Sequence, residues 1–334
     1  MNSTLRYIGR FLGYHYRTLR PIRRPRPRAG ILVYHRVARL ALDPHGIAVS
    51  PTTFADHLRL LRANYRVASL EWLLDRLPDG AYPDRTIAVT LDDGYADTLT
   101  DAYPIAAGLD VPLTVFVAVK PVLAGEAFWW DELSDLLLSR TGHAPALALD
   151  GVSGEFAMGS EVERRESHTR LHALLRRLGE CGRRAVMASI RAQIGSGPEP
   201  TGRPLTPAEL RQLAGLPGIG VGSHTMTHAR LGGLSAAEQA SELVESKTTL
   251  EHMLGNPVAL LAYPYGKADD LNADTLNVAK TAGYRAAFTT SGQPVLPSSH
   301  AYAVPRLTAH DWPVEVLRAR LARLFGDRDY RYCQ

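Results

Sequence analysis

Cysteine is scarce in this sequence: 334 residues contain two, Cys181 and Cys333, with no CxxC spacing. A disulfide scaffold and a thiolate zinc site are therefore not expected. Long apolar runs are lacking as well, and the longest, such as Val111 to Val119, are strand-sized and contain a proline or a threonine. A membrane-spanning helix needs about 20 apolar residues, so we do not expect an integral membrane protein.

A secretory signal is also missing, because the first residues alternate apolar positions with arginine and offer no small-residue cleavage site. We therefore predict a cytoplasmic protein. Residues 1–28 form a basic leader with eight arginines and no acidic residue; without them the formal net charge falls from +4 to −4. Two interpretations stay open: an arm on anionic lipid headgroups, where each basic residue contributes about 1 kcal/mol, or a solvated leader. No basic stripe with aromatics follows, so nucleic-acid binding is not expected.

After the leader, short apolar runs alternate with helical patterns, which predicts an α/β fold around one large core. Helices are predicted at 54–63 and 236–254 from their apolar spacing and their start signals. From about 121 to 205 the strand rhythm stops, and an arginine-rich helical segment at 162–194 predicts an insertion over the barrel mouth. The domains are then a leader at 1–28, a barrel at 29–326 and a tail at 327–334. The predicted strands cover 31–35, 87–93, 112–119, 219–224, 259–266 and 286–290.

Four groups of chemically capable residues follow predicted strands. Asp92 and Asp93 precede Gly94, which suits either a carboxylate site or a plain turn. The pair His224 and His228 has the HxxxH spacing, which brings two imidazoles to one ion if the intervening residues make a helical turn. Two histidines and one carboxylate would leave positions open for water and substrate.

The other two groups are the segment 262–266, with sequence AYPYG, and His35 after the first strand. A backbone N–H in the YPYG turn could stabilise an oxyanion, although an ordinary turn explains the motif equally well. Because the carboxyl ends of barrel strands meet at one rim, all four groups are expected to be neighbours. Their combination therefore favours a site over four unrelated turns.

These motifs, LDDG at 91–94, SHTMTH at 223–228 and YPYG at 263–266, resemble the polysaccharide deacetylase family, also called NodB-homology or carbohydrate esterase family 4. YHRV at 34–37, FWWDEL at 128–133 and PRLTAHDW at 305–312 look like its exopolysaccharide-biosynthesis subgroup. The resemblance implies a distorted (β/α)7 barrel with a helical insertion. It also implies a divalent metal, usually Zn²⁺, held by Asp93, His224 and His228.

By the same resemblance, Asp92 is the general base and the backbone N–H of Tyr265 stabilises the oxyanion. The implied reaction is hydrolysis of N-acetyl groups from an amino-sugar polysaccharide, oligosaccharide or lipid-linked precursor. The expected partner is therefore an acetamido-sugar glycan. Trp312 and Tyr263 are predicted to contact sugar through their aromatic faces.

Two departures from the family pattern stand out. Ala262 occupies the place where many members carry an arginine that orients the base, and we predict that Arg306 replaces it. The usual C-terminal histidine acid is missing, which leaves His35, slightly favoured, and His310 as alternatives.

Two other functions stay open. One is a catalytically impaired carbohydrate-binding or regulatory barrel. The other is an iron oxygenase with the same two-histidine, one-carboxylate ligand set, which the α/β rhythm and the adjacent Asp92 and Asp93 disfavour.

Overall fold

The computed structural model describes residues 27–142, 144–149, 154–195 and 202–327. The leader up to residue 26, residues 196–201 and the tail beyond residue 327, with Cys333, lie outside the described residues. What was predicted for those segments stays a prediction.

The described chain builds a parallel sheet that curls on itself in the strand order β10-β1-β5-β6-β7-β8-β9, with β4 paired to β5. A parallel bridge joins Phe288 of β9 to Val304, which leads into β10, and β10 pairs with β1. The path therefore curls back toward its start, and the predicted distorted (β/α)7 barrel is confirmed. The strands are β1 (Ala29–Tyr34), β2 (Arg36–Val37), β3 (Ala48–Val49), β4 (Arg66–Val67), β5 (Thr86–Leu91), β6 (Leu113–Val117), β7 (Ile219–Ser223), β8 (Leu260–Ala262), β9 (Ala286–Phe288) and β10 (Leu307–Thr308).

Helices fill the connections between these strands. Ser235 caps the helix that follows β7 by accepting a hydrogen bond from the Glu238 N–H, and Gly255 ends it with a φ of 69°. The helix predicted over 236–254 therefore forms with the expected bounds. The helices are α1 (Pro51–Asn64), α2 (Leu70–Arg76), α3 (Tyr103–Ala107), α4 (Val119–Ala124), α5 (Trp129–Leu138), α6 (Glu161–Leu175), α7 (Glu180–Ile194), α8 (Pro207–Ala214), α9 (Ala236–Leu254), α10 (Thr275–Thr281) and α11 (Val314–Phe325).

All six predicted strands run past the ends of the observed ones, and two of them lead into the site. β5 ends at Leu91 and β8 at Ala262, whereas the apolar runs suggested strands to 93 and 266. Most residues beyond each strand are buried, but they leave the sheet to form loops at its carboxyl edge. In the sequence, residues that are buried at a site could therefore not be distinguished from residues that are buried in a strand.

Alternate residues of β1 face different cores. Leu32 and Tyr34 pack in a cluster with residues of α1 and α11, outside the sheet. Ile31 belongs to a second cluster that includes Phe116 and Phe288, whose ring centroids are 5.3 Å apart. Each fully buried side chain of this size contributes about 1.5–3 kcal/mol, so both faces of the sheet stabilise the barrel.

The region between β6 and β7 has a hydrophobic cluster of its own, built mainly from α5, α6 and α7. The single helical segment predicted at 162–194 is two helices, because the chain turns at 176–179. Its position as a cap over the barrel mouth stays a prediction. Among the described helices, none has the length and apolar character required to cross a membrane.

Candidate active site

The four predicted groups lie at the carboxyl ends of neighbouring parallel strands. Asp92 and Asp93 follow β5, His224 follows β7, Tyr263 follows β8 and His35 follows β1. The carboxyl edge of a parallel sheet is where α/β folds gather functional side chains. Residues separated by more than 200 positions therefore line one cavity.

Asp93, His224 and His228 form a compact triad whose ligand atoms all lie within 4.8 Å of one another. The Oδ1 atom of Asp93 is 3.5 Å from Nε2 of His224 and 3.3 Å from Nε2 of His228. This oxygen is buried, and no described residue gives it a hydrogen bond. A buried acceptor facing two imidazole nitrogens fits a divalent cation with open coordination positions.

His224 is held in one tautomer by the strand beside it. Its Nδ1 atom lies 2.8 Å from the carbonyl oxygen of Ala262 and donates to it. The Nε2 lone pair is thereby left toward Asp93, the arrangement that a metal-binding histidine requires. Burial lowers the pKa of His224 to about 4, so the imidazole is neutral near pH 7.

The loop between the two histidines is not the helical turn that the HxxxH spacing suggested. Thr225 and His228 have left-handed φ values of 66° and 54°. The Glu242 carboxylate of α9 holds the loop by accepting hydrogen bonds from the N–H groups of Met226 and Thr227, both at 2.9 Å. Glu242 was not predicted, because nothing in a helical glutamate signals a contact 15 residues earlier.

Backbone strain is concentrated at this site. Six non-glycine residues of the described chain have a left-handed φ, and four of them are Asp93, Thr225, His228 and Tyr265. Such conformations cost about 1–3 kcal/mol each and persist only where the surroundings enforce them. At Asp93 the enforcing contact is the Ala118 N–H, which donates to its carbonyl oxygen at 3.1 Å.

Asp92 is paired with Arg306, as the missing motif arginine led us to expect. Nη1 and Nη2 of Arg306 each lie 2.7 Å from one oxygen of the Asp92 carboxylate. Arg306 is fully buried, and Asp92 is 2% exposed. Burial alone would raise the pKa of Asp92, but the Arg306 guanidinium outweighs burial and holds that pKa below its ordinary value. The structure thus shows the contact; the role of Arg306 in orienting a base stays a prediction.

Tyr265 lies in the third motif with its ring 5.0 Å from that of His228. Its φ of 63° turns the backbone after Pro264. The Tyr265 N–H makes no hydrogen bond within the described part of the chain, so this donor is free for a ligand. An N–H beside the triad is suited to stabilising an oxyanion.

The two candidate acids have different positions. His35 lines a cavity of about 160 Å³ together with Asp92, Asp93 and both triad histidines. His310 instead donates a hydrogen bond from Nδ1 to the Gly46 carbonyl at 2.7 Å and is absent from the cavity lining. Since a carbonyl oxygen only accepts, the His310 Nδ1 carries the proton there. The geometry favours His35.

The chain is similar in sequence to known proteins. The family model for polysaccharide deacetylases matches residues 156–287, which include both triad histidines and the YPYG motif. The Bacillus subtilis (strain 168) protein YxkH, a polysaccharide deacetylase by name, is 22% identical over 283 residues, covering 83% of this chain and 70% of the relative. Over these regions the chain is similar to polysaccharide deacetylases.

Solved structures show the same fold. The Streptococcus pyogenes deacetylase PplD in complex with acetate superimposes with a TM-score of 0.58 at 18% identity, covering 89% of this chain and 99% of that one. IcaB from Ammonifex degensii also gives a TM-score of 0.58 at 18% identity, covering 88% and 97%. At this level of identity the likeness concerns the fold alone.

Two predicted sugar contacts are not found at the cavity. Tyr263 is fully buried in the core, and its hydroxyl donates to the carbonyl of Tyr302 at 3.0 Å. Trp312 packs against the outer cluster near α1 and stacks under the Arg320 guanidinium at 4.9 Å. The structure therefore does not bring either ring to the cavity, because each packs against a hydrophobic cluster.

Trp130 takes the place that Trp312 was expected to have. Its ring centroid is 4.6 Å from that of His228, and it lines the cavity beside the triad. Trp130 belongs to the FWWDEL motif, but it was not among the predicted sugar contacts. The insertion also contributes His172 to the cavity lining, and the loop before β3 contributes His45.

Proposed function

We propose that this chain is a metal-dependent deacetylase that hydrolyses N-acetyl groups of an amino-sugar polysaccharide, oligosaccharide or lipid-linked precursor. The observation that carries the proposal is the triad of Asp93, His224 and His228 beside Asp92, whose carboxylate is held by Arg306. Zn²⁺ is the proposed metal, since two imidazoles and one carboxylate suit it. Exopolysaccharide or envelope-glycan biosynthesis in the cytoplasm is the proposed setting.

Asp93, His224 and His228 would hold the metal. The bound metal would polarise the acetamide carbonyl and lower the pKa of a water molecule at the site to about 7. Asp92 takes a proton from the attacking water, and the two hydrogen bonds from Arg306 fix the carboxylate in one orientation for that transfer. The tetrahedral oxyanion accepts a hydrogen bond from the Tyr265 N–H.

The amide C–N bond breaks when the departing nitrogen gains a proton, and His35 is the proposed donor because it lines the same cavity. The products are acetate and the free amino sugar. No described residue favours the alternative of a catalytically impaired barrel. Arg306 makes the contact to the proposed base that an alanine at position 262, Ala262, cannot make.

The test is acetate release from a panel of acetamido-sugar oligomers by purified protein supplied with zinc. We expect Asp92→Asn and His224→Ala to abolish release, His35→Gln to lower it about 10²-fold or more, and His310→Ala to retain it. His310 is the matched control because it is a histidine outside the cavity. Release that survives Asp92→Asn, or no release from any substrate by zinc-loaded protein, would contradict the proposal.

A further inference from the structure

A second cavity of about 370 Å³ lies beside the candidate active site and shares Trp130 and His228 with it. Most of its wall comes from the insertion, including Trp129 of α5 and Arg183 and Met187 of α7. Because His228 belongs to the triad, a glycan whose acetamido group reaches the triad has its neighbouring residue close to this cavity.

The charges around this second cavity are unequal. Four cationic and three acidic side chains line it, and each carboxylate pairs with a cation other than Arg183. The cavity therefore carries one positive charge in excess, and that charge is on Arg183. The neutralised pairs are Glu126 with Arg184, Glu132 with Arg191, and Glu180 with Lys120.

Arg183 is only 4% exposed. Its Nη2 atom donates to the Thr227 carbonyl at 3.0 Å, while Nη1 is buried without a hydrogen bond to any described residue. No carboxylate of the described chain forms an ion pair with it. A buried guanidinium without an anion is unfavourable, so the position is suited to an anion supplied from outside the chain.

Trp129 provides a second unused donor in the same wall. Its indole N–H is buried without a partner in the described residues, and its ring lies 6.0 Å from the Arg183 guanidinium. An indole N–H can only donate, and a guanidinium can only donate. Both groups therefore call for a ligand rich in acceptor oxygens.

We propose that this second cavity binds an oxyanion that the substrate carries next to its acetamido sugar, either the carboxylate of a sugar acid or a phosphate ester. Arg183 pairs with the oxyanion, the Trp129 N–H donates to it, and the adjacent Trp130 ring contacts the sugar between the two cavities. This inference rests on the proposed function and narrows its substrate to acidic glycans.

Binding is tested first, without catalysis. Zinc-loaded protein is titrated with glucuronate and, separately, with inorganic phosphate, and tryptophan fluorescence reports on Trp129. Arg183→Met should weaken binding about tenfold or more, because it removes one partner of a buried charge pair. Arg184→Met is the matched control: Arg184 is on the same helix and cavity, but 57% of its side chain is exposed and it is paired with Glu126. It should change binding less than about twofold.

Arg183→Lys keeps the positive charge and serves as a control for a folding defect. Circular dichroism also detects such a defect. It should recover part of the binding, but not the two-pronged contact that a guanidinium makes. Equal binding by the wild type and Arg183→Met, or no binding of either anion by the wild type, would overturn the proposal. Tighter binding of one anion identifies whether the source is a sugar acid or a phosphate.

Acetate release provides the second arm, with a neutral acetamido oligomer, an acetamido sugar linked to a uronic acid, and one bearing a phosphate ester. Arg183→Met should lower kcat/KM on the preferred acidic substrate about tenfold more than on the neutral one. Equal losses on all substrates would overturn the subsite. If no substrate is hydrolysed, the titration still tests the anion site by itself. If neutral oligomers are hydrolysed but neither anion binds, the result supports the proposed function and contradicts the anion site.

Discussion

Replacing Arg306 with methionine tests the buried pair at the centre of the site. Arg306 is fully buried and makes two 2.7 Å hydrogen bonds to Asp92, with further contacts to the Thr90 hydroxyl at 3.2 Å and the Thr289 carbonyl at 3.4 Å. Methionine preserves much of the apolar volume next to Phe116 but leaves the Asp92 carboxylate buried without a cation. The variant therefore isolates the loss of charge and hydrogen bonding.

The expected magnitude follows from this burial. Removing one partner of a buried ion pair costs about 3–5 kcal/mol of folding free energy. Arg306→Lys keeps the charge and should cost about 1.5–3 kcal/mol, since it loses one of two charge-assisted hydrogen bonds. Both variants should also lower acetate release, because the carboxylate of Asp92 is no longer fixed.

The assay is urea unfolding followed by tryptophan fluorescence, with Arg285→Met as control. Arg285 pairs with Asp75 at 2.7 Å on the surface, where the two side chains are 46% and 57% exposed. That pair should contribute no more than about 1 kcal/mol. The comparison separates a buried arginine pair from an exposed one of the same length.

A double variant with Asp92→Asn completes the test. Removing both charges should cost less than the sum of the two single changes, because neither partner is left charged and buried. Additive effects, or an Arg306→Met variant no less stable than Arg285→Met, would refute the argument that Asp92 depends on Arg306.

Three further predictions follow from the site. Zinc at about 100 times its dissociation constant should stabilise the wild type by about 2.7 kcal/mol in thermal unfolding, and His224→Ala should lose that gain; an equal gain would place the ion elsewhere. Burial raises the pKa of Asp131 to about 7, so the stability that its protonated form contributes is lost as pH rises through about 7. Asp131→Asn should therefore flatten the fall of the urea midpoint between about pH 4 and 7, and an unchanged slope would contradict this. Trp130→Ala should lower kcat/KM for glycans several-fold, whereas Trp312→Ala should lower the unfolding midpoint alone; the reverse would return Trp312 to the groove.

Much of the architecture could be predicted from local patterns. The apolar runs located six of the strands, and Ser235 and Gly255 located the ends of α9, because capping and strand burial depend on neighbouring residues. The motif residues Asp93 and His224 lie within two residues of a strand end, and His228 follows His224 at the HxxxH spacing, so local patterns indicated them as well. The loop between the histidines could not be predicted, because Glu242 enforces its left-handed residues from another element.

The sequence by itself determined the parallel α/β order and which polar residues meet at the carboxyl edge, because both follow from short-range periodicity and from the direction of parallel strands. Only the tertiary structure decided how distant residues pair there. Arg306 reaches Asp92 across 214 positions, Tyr263 turns into the core, and Trp130 instead of Trp312 faces the triad. Those outcomes depend on which face of each element packs inward, and that is set by the whole core at once.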